Sequence, residues 1–121
     1  ADYTLENIGF AVRFAGELGA DIVKTAFPTG AGTDQFRKII EASLVPVVVL
    51  GGASMNDDLA LLEMVERAVA AGAAGVAIGR NVWQHSHPER IARAIRAVVH
   101  EGAKASEART FLTGNENAPG A

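Results

Sequence analysis

A chain of 121 residues, 49% hydrophobic and 21% charged, has the size and balance of one globular domain. Its net charge of −3, with no Lys/Arg run longer than two residues, excludes the concentrated basic patch that a nucleic-acid surface requires. It has no cysteine, which excludes disulfides and thiolate metal sites, and no apolar run approaches the roughly 20 residues that span a bilayer.

No charged segment followed by an apolar run opens the chain, so no signal peptide is expected, and a cysteine-free composition fits a cytoplasmic setting. Thr4 is the expected N-cap of a first helix, in which Ile8, Ala11, Ala15 and Leu18 recur at helical spacing and which Gly19 ends. Residues Asp21 to Phe27 read as a short strand, and Pro28, Gly30 and Gly32 as a loop. Thr33 is the expected cap of a second helix with Phe36, Ile39 and Ile40 as its stripe. Val45 to Leu50 is the clearest strand. Its apolar run is continuous, which predicts burial on both faces of a parallel sheet.

Gly51-Gly52 ends that strand. Ser54 and Asp57 resemble a capping box before a third helix that turns Leu59, Leu62, Val65 and Val69 inward. Gly72 and Gly75 bracket its exit. Val76 to Ile78 is the third strand, followed by Gly79-Arg80-Asn81. Pro88 opens a helix with Ile91, Ile95, Val98 and Val99 as its stripe, Gly102 stops it, and Lys104 to Leu112 reads as one more short helix. Residues 113–121 are polar, contain Gly and Pro, and are expected to form a disordered tail.

Strands alternating with helices predict a parallel α/β sheet. A complete (β/α)₈ barrel takes about 200 residues or more. Three strands therefore describe either a small open sheet or the last portion of a barrel.

Three features carry candidate chemistry. Lys24 interrupts the apolar run Ile22-Val23-Lys24-Thr25-Ala26. A lysine buried on a strand is costly to charge, and a lysine with a lowered pKa condenses with ketones to form imines. The alternative is a lysine that reaches water or pairs with Asp21. Gly51-Gly52 allows backbone N–H groups to approach a phosphate, or else makes a tight turn that needs positive φ. Gly79 and Arg80 offer backbone access and a fork of donors for phosphate oxygens, or else a surface arginine. In a parallel sheet all three would share one rim.

Weaker candidates are His85 and His87, which lack a third metal ligand nearby, and Trp83, expected to pack under the rim. Gly30-Ala31-Gly32 lacks the third glycine of a dinucleotide fingerprint, and no P-loop is present.

The runs Ala20-Asp-Ile-Val-Lys-Thr25, Pro46-Val-Val-Val-Leu-Gly-Gly52 and Ala71-Gly-Ala-Ala-Gly-Val-Ala-Ile-Gly-Arg-Asn-Val-Trp-Gln84 together resemble the archaeal-type class I fructose-bisphosphate aldolase family. That family also holds 2-amino-3,7-dideoxyheptulosonate synthases and the thiolase acting on phosphorylated autoinducer-2, and Val98-Val-His-Glu-Gly102 is similar to these two groups. The resemblance implies the C-terminal portion of a (β/α)₈ TIM barrel over residues 1–112, about strands 6 to 8. It implies a homo-oligomeric lyase of the Schiff-base kind acting on a phosphorylated ketose, needing neither metal nor other cofactor and having no nucleic-acid or membrane partner. It assigns Lys24 as the covalent lysine, and Gly51, Gly52, Gly79 and Arg80 as the grip on the substrate phosphate. It also implies an acid/base Tyr and an Asp from earlier strands. Tyr3, the only tyrosine, lies on the wrong element for that role. Ala53-Ser54 after the glycine pair and Ala26-Phe27-Pro28 after the lysine depart from the family's pattern and bear on substrate choice.

Overall fold

A computed structural model describes residues 2–113. The elements run α1 (Leu5–Glu17), β1 (Val23–Thr25), α2 (Thr33–Ala42), β2 (Val47–Leu50), α3 (Asp58–Ala70), β3 (Gly75–Ala77), α4 (Arg80–Trp83), α5 (Pro88–Glu101), α6 (Ala105–Ala108) and a 3₁₀ turn over Arg109–Thr113. Thr113 closes that turn, one residue past the expected end of the ordered chain. The rest of the expected tail lies outside the described residues. Contacts divide the chain into two compact units, Ala1–Leu50 with Arg67–Ala77 and Gly51–Glu66 with Ile78–Ala121.

The first unit holds the whole sheet, parallel and ordered β1-β2-β3. Its register pairs Val23 with Val47, Lys24 with Val48, Thr25 with Val49, and then Val48 with Gly75 and Val49 with Val76. Partners in register project to one face. Val23, Thr25, Val47 and Val49 lie buried on one side, and Lys24, Val48 and Gly75 form a row on the other. Burial alternates in degree along β2: Val47 and Val49 are fully buried, and Val48 and Leu50 are half-buried. β1 and β2 are also shorter than the sequence suggests, and β3 keeps the expected three residues but starts one position earlier.

Thr4 caps α1 through its hydroxyl, which accepts from the Asn7 amide at 3.2 Å. The helix buries Ile8 and Val12, whereas Leu18, expected to face inward, is 72% exposed. Gly32 rather than Thr33 is the N-cap of α2, and the Gln35 side chain accepts from its amide at 2.8 Å. Phe36 is fully buried, edge-on to Phe27 with ring centroids 4.9 Å apart. The Arg67 guanidinium lies 4.8 Å from the Phe27 ring centroid. Arg37 donates to the Ala70 carbonyl at 3.0 Å, tying α2 to the end of α3.

In the second unit, Asp57 rather than Ser54 caps α3, accepting from the Ala60 amide at 3.0 Å. Pro88 occupies the first turn of α5, as expected, where its missing N–H costs nothing. Ile91, Ala94, Ile95 and Val98 form the buried stripe of α5 at spacings of three and four. Gly102 ends it in the left-handed region, φ 69°. The Glu66 carboxylate accepts from the Ala105 amide at 3.0 Å, and Phe111 packs inward from the closing turn. Among the described residues no helix is long and apolar enough to cross a membrane.

Candidate functional site

Lys24 is the only ionisable residue in the three strands. Of the two placements the sequence leaves open, a buried lysine or one that reaches water, Lys24 takes the second. Val23 and Thr25 on either side are buried, but the pleat turns Lys24 to the open face, where it is exposed. Among the described residues it enters no ion pair, with Asp21 or any other carboxylate. Its row continues through Val48 to Gly75, and a Cβ added at Gly75 would meet nothing within 4 Å. The one amine of this sheet therefore stands exposed, in a row that runs through half-buried Val48 to a residue without a side chain.

The chain leaves β2 into the loop Gly51–Asp57. The two glycines are there for different reasons. A Cβ on Gly51 would stand 2.9 Å from Ile78 Cγ2 and 3.1 Å from Asn81 Nδ2, closer than packed atoms tolerate. Gly52 adopts φ 72°, a conformation costly to residues with a side chain. Asn56 also has positive φ, 51°. Helix α3 begins only at Asp58, so its amino end lies past the expected Ser54 cap and six residues beyond Gly52.

The residue that sequence reasoning left without a role is Asn81. It is 6% exposed, and its amide is spent wholly on this loop. Nδ2 donates to the carbonyls of Gly51 at 3.3 Å and Ala53 at 3.2 Å, and Oδ1 accepts from the Met55 amide at 2.9 Å. The sequence signal was slight, one amide after a Gly-Arg pair.

Gly79 is the N-cap of the one-turn helix α4, and Arg80 is its first residue and exposed. Trp83, on the same turn, is 78% exposed rather than packed beneath a rim, although its ring lies 3.5 Å from where a Gly79 Cβ would be. His85 is not a loose loop residue. Its Nδ1 accepts from the His87 amide at 2.8 Å, so Nε2 carries the proton that meets Asp58 Oδ1 at 2.9 Å. This contact joins the start of α3 to the segment before α5. Among the described residues no cluster of three or more His, Asp or Glu could hold a metal ion.

Comparison with known proteins follows the same lines. The chain is 41% identical over 102 residues to 2-amino-3,7-dideoxy-D-threo-hept-6-ulosonate synthase of Halobacterium salinarum, covering 84% of this chain and 37% of that protein. It is 41% identical over 107 residues to a class 1 fructose-bisphosphate aldolase of Halobacterium salinarum, covering 88% of this chain and 40% of that protein. A solved Schiff-base-forming fructose-1,6-bisphosphate aldolase superposes with a TM-score of 0.75 at 35% identity, over 83% of this chain and 40% of the other. The chain spans about two fifths of the length of these relatives, and its parallel α/β fold is part of an aldolase TIM barrel. A family model for DeoC/LacD family aldolases matches residues 2–85, and the chain belongs to that family.

Proposed function

We propose that this chain carries the imine-forming lysine and the phosphate grip of a class I aldolase acting on a phosphorylated ketose such as fructose 1,6-bisphosphate. The observation that carries the reading is the placement of Lys24, the only ionisable side chain of the sheet, exposed on its open face with no carboxylate partner among the described residues. A primary amine so placed has the access that attack on a carbonyl needs.

In this reading the neutral Lys24 amine adds to the C2 carbonyl of the ketose, giving a carbinolamine. Loss of water leaves an imine, whose protonated nitrogen draws the electron pair of the C3–C4 bond as that bond breaks. The C4 hydroxyl loses its proton as the aldehyde departs, and C3 of the enamine is then protonated. Water adds to the renewed imine and releases the second product and the free lysine. No metal is required. A residue outside these 121 moves the protons. Arg80 supplies charge and planar donors to the phosphate, and the glycines at 51, 52 and 79 keep side chains away from the backbone it approaches.

The relative named as a synthase favours a second reading, in which the same lysine chemistry serves a transaldolase or thiolase reaction. Homo-oligomeric assembly and a cytoplasmic setting belong to the proposal in either case. A panel of phosphorylated ketoses, assayed for cleavage with the wild-type protein and Lys24→Met, separates the readings. The proposal expects fructose 1,6-bisphosphate to be cleaved and Lys24→Met to be inactive. Imine formation without cleavage of any ketose would favour the second reading. Phosphate binding with no imine would leave only a silent sugar-phosphate binder.

A further inference from the structure

We infer that Asn81 is a positioning residue that turns the amides of Gly52 and Ser54 toward the substrate phosphate, an inference that rests on the phosphate-binding role proposed above. Asn81 is buried, and its three hydrogen bonds all reach the loop that leaves β2. Two of them hold carbonyl oxygens, those of Gly51 and Ala53. No peptide bond here is cis. In a trans peptide the N–H points opposite to the C=O of the same plane. Drawing the Gly51 and Ala53 carbonyls toward Asn81 therefore sends the N–H groups of Gly52 and Ser54 away from it. The third bond engages the Met55 amide, so that donor is spent on Asn81. The alternation leaves two outward donors, one on either side of Ala53.

Each glycine fits this arrangement. Gly51 cannot carry a Cβ because Ile78 and Asn81 stand too close, so the Asn81 amide sits directly against the backbone it holds. Gly52 has φ 72°, a conformation that a residue with a side chain reaches only at a cost, so glycine suits the turn that carries its N–H outward. Arg80 precedes Asn81 in the chain, so one short segment both offers a cationic side chain and sets the loop's amides. The Ser54 hydroxyl donates to Asn56 Oδ1 at 3.4 Å, a further contact within the same loop.

The test is a titration of the ¹⁵N-labelled protein with inorganic phosphate, followed amide by amide, for wild type and Asn81→Ala. The expected result is saturable movement of the Gly52 and Ser54 resonances, with the Met55 resonance little changed. In Asn81→Ala the phosphate affinity should fall roughly tenfold, the loss of about one or two hydrogen bonds' worth of preorganisation. Phosphate that saturates and moves Arg80 but leaves Gly52 and Ser54 in place would overturn the role of Asn81 and leave the phosphate site standing. Unchanged affinity in Asn81→Ala would overturn it too. Absence of saturable binding in the wild type would remove the phosphate reading itself, and this inference with it. Should Asn81→Ala fail to fold, the wild-type amide pattern alone decides.

Discussion

A methyl group on Gly51 would stand 2.9 Å from Cγ2 of Ile78 and 3.1 Å from its Cγ1, so the two residues are packed backbone to side chain with no space between them. Gly51→Ala is therefore an overpacking substitution, not a neutral one. It should lower stability by about 1–3 kcal/mol, read as a lower urea midpoint at unchanged slope. Gly52→Ala acts through backbone strain at φ 72° and should cost roughly 1 kcal/mol. An unchanged midpoint for Gly51→Ala would mean that Ile78 yields freely.

Gly75 tests the open face of the sheet. It ends the row that begins at Lys24, and added atoms there meet nothing within 4 Å. Gly75→Val should leave the unfolding midpoint unchanged or slightly raised, since β-branched residues favour strands. The same side chain would narrow the space over the row. Imine formation at Lys24 should slow by roughly tenfold or more, the usual penalty for misplacing reactants. Equal rates in the two proteins would show that substrate does not use this side of the sheet.

Arg80→Ala removes an exposed cation without disturbing a buried contact. For a phosphorylated ketose KM should rise by about tenfold while kcat changes little, the pattern of a group that binds ground state and transition state alike. The unphosphorylated ketose should be handled equally by both proteins. A KM unchanged for the phosphorylated compound would remove Arg80 from the phosphate grip.

Phe36 is fully buried, edge-on to Phe27, whose ring also receives the Arg67 guanidinium. Phe36→Ala should cost about 3–5 kcal/mol, large against the stability of a small domain, and be visible in a denaturant melt. A loss below about 1 kcal/mol would mean that the site collapses around the missing ring.

Element order and parallel pairing were legible because the apolar runs are punctuated by glycines with fixed backbone duties, of which Gly102 at φ 69° and Gly52 at φ 72° are examples. Pro88 marked the start of α5 for the same kind of reason. Burial was less legible. The unbroken apolar run at Val45–Leu50 does not tell the fully buried Val47 and Val49 from the half-buried Val48 and Leu50, because a valine on either face has the same spelling. Lys24 could be found as a charge in an apolar strand, but its exposure depends on the pleat, not on its neighbours' hydrophobicity. Trp83 misled in the opposite direction, a large ring expected inside and found outside. Asn81 was visible only as a letter in a motif. Its three bonds span 26 to 30 positions, and nothing in local spacing reveals partners that far away.

The central claim is that Lys24 forms the imine, and borohydride trapping with dihydroxyacetone phosphate tests it most directly. The chain has three lysines, Lys24, Lys38 and Lys104, so intact mass followed by peptide mapping assigns the adduct unambiguously. The account predicts one reduced adduct, on Lys24, absent from Lys24→Met. An adduct on Lys38 or Lys104, or one that persists in Lys24→Met, would contradict it.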